Sequence, residues 1–352
     1  MLHTISTVYK MKIDKIHTGQ SIVDYALEMA IWANQIAYGQ IGDINQVLDQ
    51  LEKQIAAIVY ALDTDDIGSL NKKTVTRLLS DLRNAESAAM SQQLTETVST
   101  IGQMTNIIGA AEVAVLTKLT KRQIKALTDP FKVALDTPIA AVGEMLTGFI
   151  DGLEDVVSSK LERTIRTGMA NHWTLQETVR AMKDNFETIK RRDVESVVQT
   201  ACHHAFESAR MAVYKANKIE QVQCVITLDT RTCRNCFSLG GMIVDIDKAP
   251  RYPLHPRCRC VTIPYLPELA EYDEGATRAS IGGYVDANTS SFDWFRKHDR
   301  AWLDDVFGPT IATVIKKPGM TEEKFRRLTL DKQYRPRTIK QITQKAEQMG
   351  LL

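Results

Sequence analysis

Cys233 and Cys236 stand two residues apart, and His255-Pro256-Arg257-Cys258-Arg259-Cys260 follows after eighteen intervening residues. Four of the six cysteines therefore fall between positions 233 and 260, with a histidine between the two pairs. Two short sulfur and nitrogen hairpins separated by roughly 15–20 residues have the spacing of a structural zinc site. Thiolates two residues apart grip one edge of a small, soft-accepting ion, and a returning strand brings a second pair to close a tetrahedron. The expected ligands are Cys233, Cys236, His255 and Cys258, with Cys260 in reserve because residues i and i+2 of a strand share a face. Four protein ligands leave no place for a reactive water, so the site reads as a staple and no catalysis is expected of it.

Competing uses of the cysteines fit less well. Six cysteines in 352 residues make a poor disulfide framework. Near the start, Lys10, Lys12, Asp14 and Lys15 interrupt any apolar leader, so a reducing cytoplasm is expected. A redox Cys-x-x-Cys pair belongs in a βαβ context, whereas Ser238-Leu239-Gly240-Gly241 shortly after Cys236 reads as a turn.

Upstream, hydrophobic spacing is helical. Residues 1–19 show no strong period and read as a lead segment. Ile22, Ala26, Met29, Ala30 and Ala33 form one stripe, and Gly39 and Gly42 are expected to end it before Asp43 caps a second helix. A long helix is expected from Lys72 to Leu119, kinked or divided at Gly102 and Gly109. Asp129-Pro130 opens a further helix and Thr137-Pro138 restarts it. No histidine lies between His17 and His172, and no Gly-rich phosphate loop occurs. The first 150 residues thus read as a helical assembly region.

From Leu153 the stripe sharpens to Gly168, and Thr174 with Glu177 has capping-box spacing. A helix from Lys190 to Asn217 carries His203 and His204, read as core or surface residues and not ligands. Alternation begins at Gln221, and Met242–Val244 and Val261–Ile263 complete a three-stranded sheet. So small a sheet buries little apolar area, which makes a metal staple physically sensible. The fold class is therefore mainly α with a small β module: a helical region over 1–150, a stapled core over 151–267, and a linker, aromatic anchor helix and basic tail over 268–352.

The run LDTRTCRNCFSLGGMIV…YPLHPRCRCVTIPYL closely resembles the core of the phage Mu protein F-like family, the minor head or head morphogenesis proteins of tailed bacteriophages. Shared features are Asp229 before the first cysteine, the Cys-x-x-Cys, the Gly-Gly turn and above all His-Pro-x-Cys-Arg-Cys. RASIGGYVDANTSSFDWFRKHDRAWLDDVFGPT and MTEEKFRRLTLDKQYRPRT resemble the family's C-terminal part, so the likeness spans roughly residues 150–345. Relatives often carry Arg-Thr-Glu in the helix before the cysteines; here Val198-Gln199-Thr200-Ala201 stands, and that triplet's role is not carried over. The resemblance implies a minor component inside the capsid near the portal, made in the host cytoplasm. Its implied work is head assembly and DNA packaging, followed by release with the DNA. Portal and other head proteins are the implied partners, with self-association left open.

Glu268 to Ser291 reads as a polar linker, ahead of an aromatic anchor of Phe292, Trp294, Phe295 and Trp302. Asp304 and Asp305 belong to a solvated helix face. From Val314 onward ten Lys and Arg face four Asp and Glu, in a chain whose net charge is only +1. Such a tail can hold packaged DNA by charge alone. The rival function is an enzyme, a nuclease or toxin-like domain delivered with the genome, but no Ser/His/Asp, His-x-His or paired-carboxylate set stands out.

Overall fold

A computed structural model describes residues 22–269, 275, 277–286, 289–332 and 334–352. The lead read over 1–19 lies outside them, as do positions 270–274, 276, 287 and 288 of the expected linker. The chain is mainly helical with a small antiparallel β module.

Helix α1 (Ile22–Tyr60) is continuous, where two helices are expected. Ala33, Ala37, Ile41, Ile44 and Leu48 stay buried in phase across Gly39 and Gly42. That stripe outweighs a helix cost of about 1 kcal/mol per glycine. Helix α2 (Lys72–Thr120) is also undivided and starts with Asn71 capping Thr74 N. Its two glycines are contact points, not breaks. A Cβ at Gly102 would lie 2.8 Å from Phe131, and one at Gly109 2.6 Å from Pro130, both in the short helix α3 (Pro130–Leu135). Asp129 caps α3 as expected. Thr137-Pro138 restarts no helix, and the next one, α4 (Leu146–Ala170), begins after a turn at Gly143.

Helix α5 (Leu175–Thr188) opens with the Thr174–Glu177 capping box. It runs through one π turn (Ile189–Val194) into α6 (Glu195–Ala216), so the expected helix from Lys190 is the end of a longer rod. Helices α1, α2, α4, α5 and α6 enclose one apolar cluster that runs from Ile22 to Ile263 and so spans both the helical region and the core. No described helix is long and apolar enough to cross a membrane.

Strand β1 (Gln221–Val225) is central, flanked by β2 (Ile243–Asp245) and β3 (Val261–Pro264), both antiparallel. Part of the expected linker is a hairpin of β4 (Thr277–Ser280) and β5 (Gly283–Asp286). Behind it come α8 (Ser291–Arg296), α9 (Arg300–Phe307), α10 (Pro309–Ile315), α11 (Glu322–Thr329) and α12 (Ile339–Gln348). The tail is thus folded, and its Phe325, Leu328 and Ile342 join the aromatic cluster of Phe292, Trp294 and Phe295. Asp304 pairs with Arg300 at 2.6 Å and Asp305 is exposed, as a solvated face requires.

Glu86 in α2 is buried against α4. Burial pushes its carboxyl up to about 7; Ser158 pulls it back, while Glu154 and Asp155 add to the rise. The folded state therefore holds a proton that the unfolded chain releases near pH 4.5, and stability falls as pH rises between those values. Glu86→Gln is expected to leave stability unchanged near pH 4. At pH 8 it should raise it by about 1–2 kcal/mol, after allowance for solvent screening. Urea denaturation at the two pH values checks this, and an equal gain at both would refute it.

Candidate metal centre

The first arm of the site is a helix start. Cys233 caps the short helix α7 (Arg234–Leu239), its Sγ accepting from Cys236 N at 3.5 Å. The helix takes in Ser238 and Leu239 of the expected turn, which is left to Gly240 and Gly241. The capping sulfur replaces the usual Ser or Asp oxygen and aims both cysteines at one point. The chain turns at Gly240, where a Cβ would stand 2.5 Å from Ser291 Oγ, and at Gly241, whose φ is +75°. Only glycine meets both conditions cheaply.

The second arm is held by its arginines. Arg257 has a φ of +59°. Its N–H donates to Thr200 Oγ1 at 3.0 Å, and its guanidinium donates to the carbonyls of Arg191 and Arg192 at 3.2 and 2.9 Å. Those carbonyls belong to the π turn, whose widened ladder leaves acceptors for a side chain to satisfy. Arg259 makes a two-pronged pair with Asp229 at 2.6 and 2.8 Å. Asp229 also accepts from Arg231 N and Thr232 Oγ1, so it ties the first arm to the second. Such bidentate pairs fix direction as well as adding energy.

These supports bring three of the expected ligands, Cys233, Cys236 and His255, within reach of one ion, and set the fourth, Cys258, beside Cys236. His255 Nε2 lies 3.3 Å from Cys233 Sγ and 3.4 Å from Cys236 Sγ, and Cys236 Sγ lies 3.9 Å from Cys258 Sγ. A tetrahedral ion with bonds near 2.0 and 2.3 Å has N···S and S···S edges of roughly 3.5 and 3.8 Å. The donors form two triads, Cys233–Cys236–His255 and Cys236–Cys258–Cys260, that share Cys236. Cys260 is therefore a fifth donor within reach. His255 Nδ1 donates to Pro256 O at 2.9 Å, which turns the Nε2 lone pair toward the sulfurs.

Hydrogen bonding with Cys236, aided by His255, holds the Cys233 thiol down to about 4. Bonds to Cys233 and Cys258 push His255 up to about 11. Cys258 is held well below the thiol range by its bonds with Cys236 and Cys260. Cys236 is pushed up by its bonds with Cys233 and Cys258, and Cys260 is raised as well, so both keep their protons. Two sulfur anions, two thiols and an imidazolium are an arrangement that a cation would enter by displacing protons. The cluster can hold a metal ion.

His203 and His204 are in neither triad, and of the two expected settings, core or surface, both occupy the core. Their Nε2 groups donate to Cys260 O at 2.7 Å and Ala134 O at 3.0 Å. Cys202 and Cys224 are fully buried, and burial pushes both thiols up to about 12. Sequence reasoning missed a buried network behind the site. Arg210 donates to Glu112 at 2.9 Å, Glu207 at 3.2 Å and the Tyr214 hydroxyl at 2.7 Å. Tyr214 donates to Glu112 at 2.5 Å, and Glu207 accepts from Thr262 N and Oγ1. The only local signal was the i, i+3 spacing of Glu207 and Arg210 on one helix face.

Comparison with known families meets this same part of the chain. Residues 156–263 match the family model described as phage Mu protein F like protein. The chain carries a phage Mu F-like module. It runs from α4 through β3 and contains every candidate ligand. No curated protein and no solved structure matches the chain.

Proposed function

We propose that this Mu F-like protein is a minor structural component inside a tailed-phage capsid, seated near the portal, which acts in head assembly and DNA packaging and leaves with the DNA. The Mu F-like match across the metal-binding core carries the reading. The ion is zinc, held by Cys233, Cys236, His255 and Cys258, and its chemistry there is a tetrahedral cross-link between two loops. A shell filled by protein donors supports a structural role over a catalytic one. Mass spectrometry of purified virions before and after DNA release is the test. Presence in full heads supports the proposal, and absence from virions defeats it.

The DNA contact falls to exposed cations of the folded tail. Lys316 is engaged with the carbonyls of Arg296 and His298, and Arg326 with Gly240 O and Glu322. Arg327, Lys332 and Lys340 are exposed and, among the described residues, have no carboxylate partner. Because Phe325 and Ile342 are core residues, charge substitutions test this face better than truncation. Changing Arg327, Lys332 and Lys340 together to Gln should lower the slope of log K against log salt by roughly 2–3 for a DNA duplex, with melting temperature unchanged. An unchanged slope would remove DNA as this face's partner.

A further inference from the structure

Beside the metal centre, a cleft of about 260 Å³ opens between the start of α1 and the two loops that carry the cysteines. Leu27, Ala30 and Ile31 form one wall; Arg231, Arg257 and Arg259 stand among the residues of the other. Ile31 lines the hollow and is 58% exposed, so its methyl groups are open to a ligand there. The arginines are unequal. Arg257 has Glu195 at 3.3 Å and Arg259 has Asp229 at 2.6 Å, so these two shape the wall with their charge compensated. The Arg231 guanidinium is exposed and has no partner among the described residues.

We propose that this cleft docks one apolar side chain flanked by one carboxylate, presented by a partner protein of the head. Charge complementarity selects this occupant. One uncompensated cation beside an apolar wall suits a single carboxylate next to a leucine-sized anchor. A phosphate polyanion would find one free charge and an apolar wall that it cannot use. The volume holds an anchor residue and its neighbour, not a helix or a duplex. Only the identity of the partner as a head protein rests on the function proposed above.

Methyl NMR of the full chain, labelled at isoleucine δ1 carbons, tests the cleft directly. The probes are N-acetyl-Leu-Glu-amide, N-acetyl-Leu-Gln-amide and N-acetyl-Gly-Glu-amide. Leu-Glu should shift the Ile31 methyl saturably, with a dissociation constant in about the millimolar range. Leu-Gln should bind about fivefold more weakly, and Gly-Glu should leave the methyl unmoved up to about 10 mM. Arg231→Gln should abolish the Glu over Gln preference while metal content and melting temperature stay the same. The proposal is overturned if no probe moves Ile31, if Gly-Glu binds as well as Leu-Glu, or if a short DNA oligonucleotide moves Ile31 more than Leu-Glu. Such a failure leaves virion incorporation untouched, and absence from virions would leave the peptide binding untouched.

Discussion

Cys236→Ser is expected to strip the metal and melt the loops of the centre together with the C-terminal helices, while the helical bundle stays folded. Cys236 is the donor common to both triads, so its loss leaves Cys233 with His255 and Cys258 with Cys260 as two separate pairs that no shared sulfur holds together. The next residue, Phe237, sits 5.3 Å from Phe295 and 5.5 Å from Phe307, ring to ring. The aromatic cluster of the tail is thus built on the turn that the ion holds. A structural zinc ion contributes on the order of 10 kcal/mol to a small module, which exceeds what so slight a sheet supplies alone. The bundle has its own apolar cluster, so unfolding should separate into two steps. Elemental analysis gives the metal content, and hydrogen exchange over 233–260 against 72–120 gives the local stability. A wild-type chain without stoichiometric metal, or a variant that keeps it, would refute the assignment. Cys258→Ser and Cys260→Ser, compared side by side, identify the fourth ligand by which of them loses metal. Acid should release the ion, because binding displaces protons that His255 and the thiols hold in its absence.

What the sequence made legible was local or periodic. The capping box at Thr174, the Asp129 cap with Pro130 and the three short strands each depend on residues close together in the chain. The ligand spacing is of the same kind, since two hairpins bring their donors together whatever else the fold does. Continuity of α1 through Gly39 and Gly42 was hidden, because a glycine's helix cost is visible in sequence and the buried stripe that overrides it depends on α2 and α6. The π turn was hidden for a related reason. Its freed carbonyls are satisfied by Arg257, more than sixty positions away, and nothing near Arg191 announces that partner. Asp229 was noticed as a family mark, but its work of clamping Arg259 became evident only from the geometry.

The buried network of Arg210 is the extreme of long-range dependence, and its disruption is the second large effect expected. Arg210 and Glu112 are both fully buried and come from helices 98 positions apart in sequence. Burial pushes the Glu207 carboxyl up, while Arg210 and then His203 pull it back. Arg210→Met would leave the Glu112 and Glu207 carboxylates without their cation in a place that water does not reach. Removing one partner of a buried pair costs about 3–5 kcal/mol, most of it the penalty of the stranded charge. Glu112→Gln should cost less, because the amide still accepts from Arg210 or Tyr214 while Glu207 keeps the guanidinium compensated. The double variant Arg210→Met with Glu112→Gln should therefore recover part of the single loss, with a coupling of about 1–3 kcal/mol. Urea denaturation of the four chains closes the cycle. Because Glu112 lies in α2, Arg210 in α6 and Thr262 in β3, the loss should appear in both unfolding steps and not only in the bundle. Strict additivity of the two changes would mean that the pair is a neighbourly contact and not the joint between the helical region and the metal-bearing core.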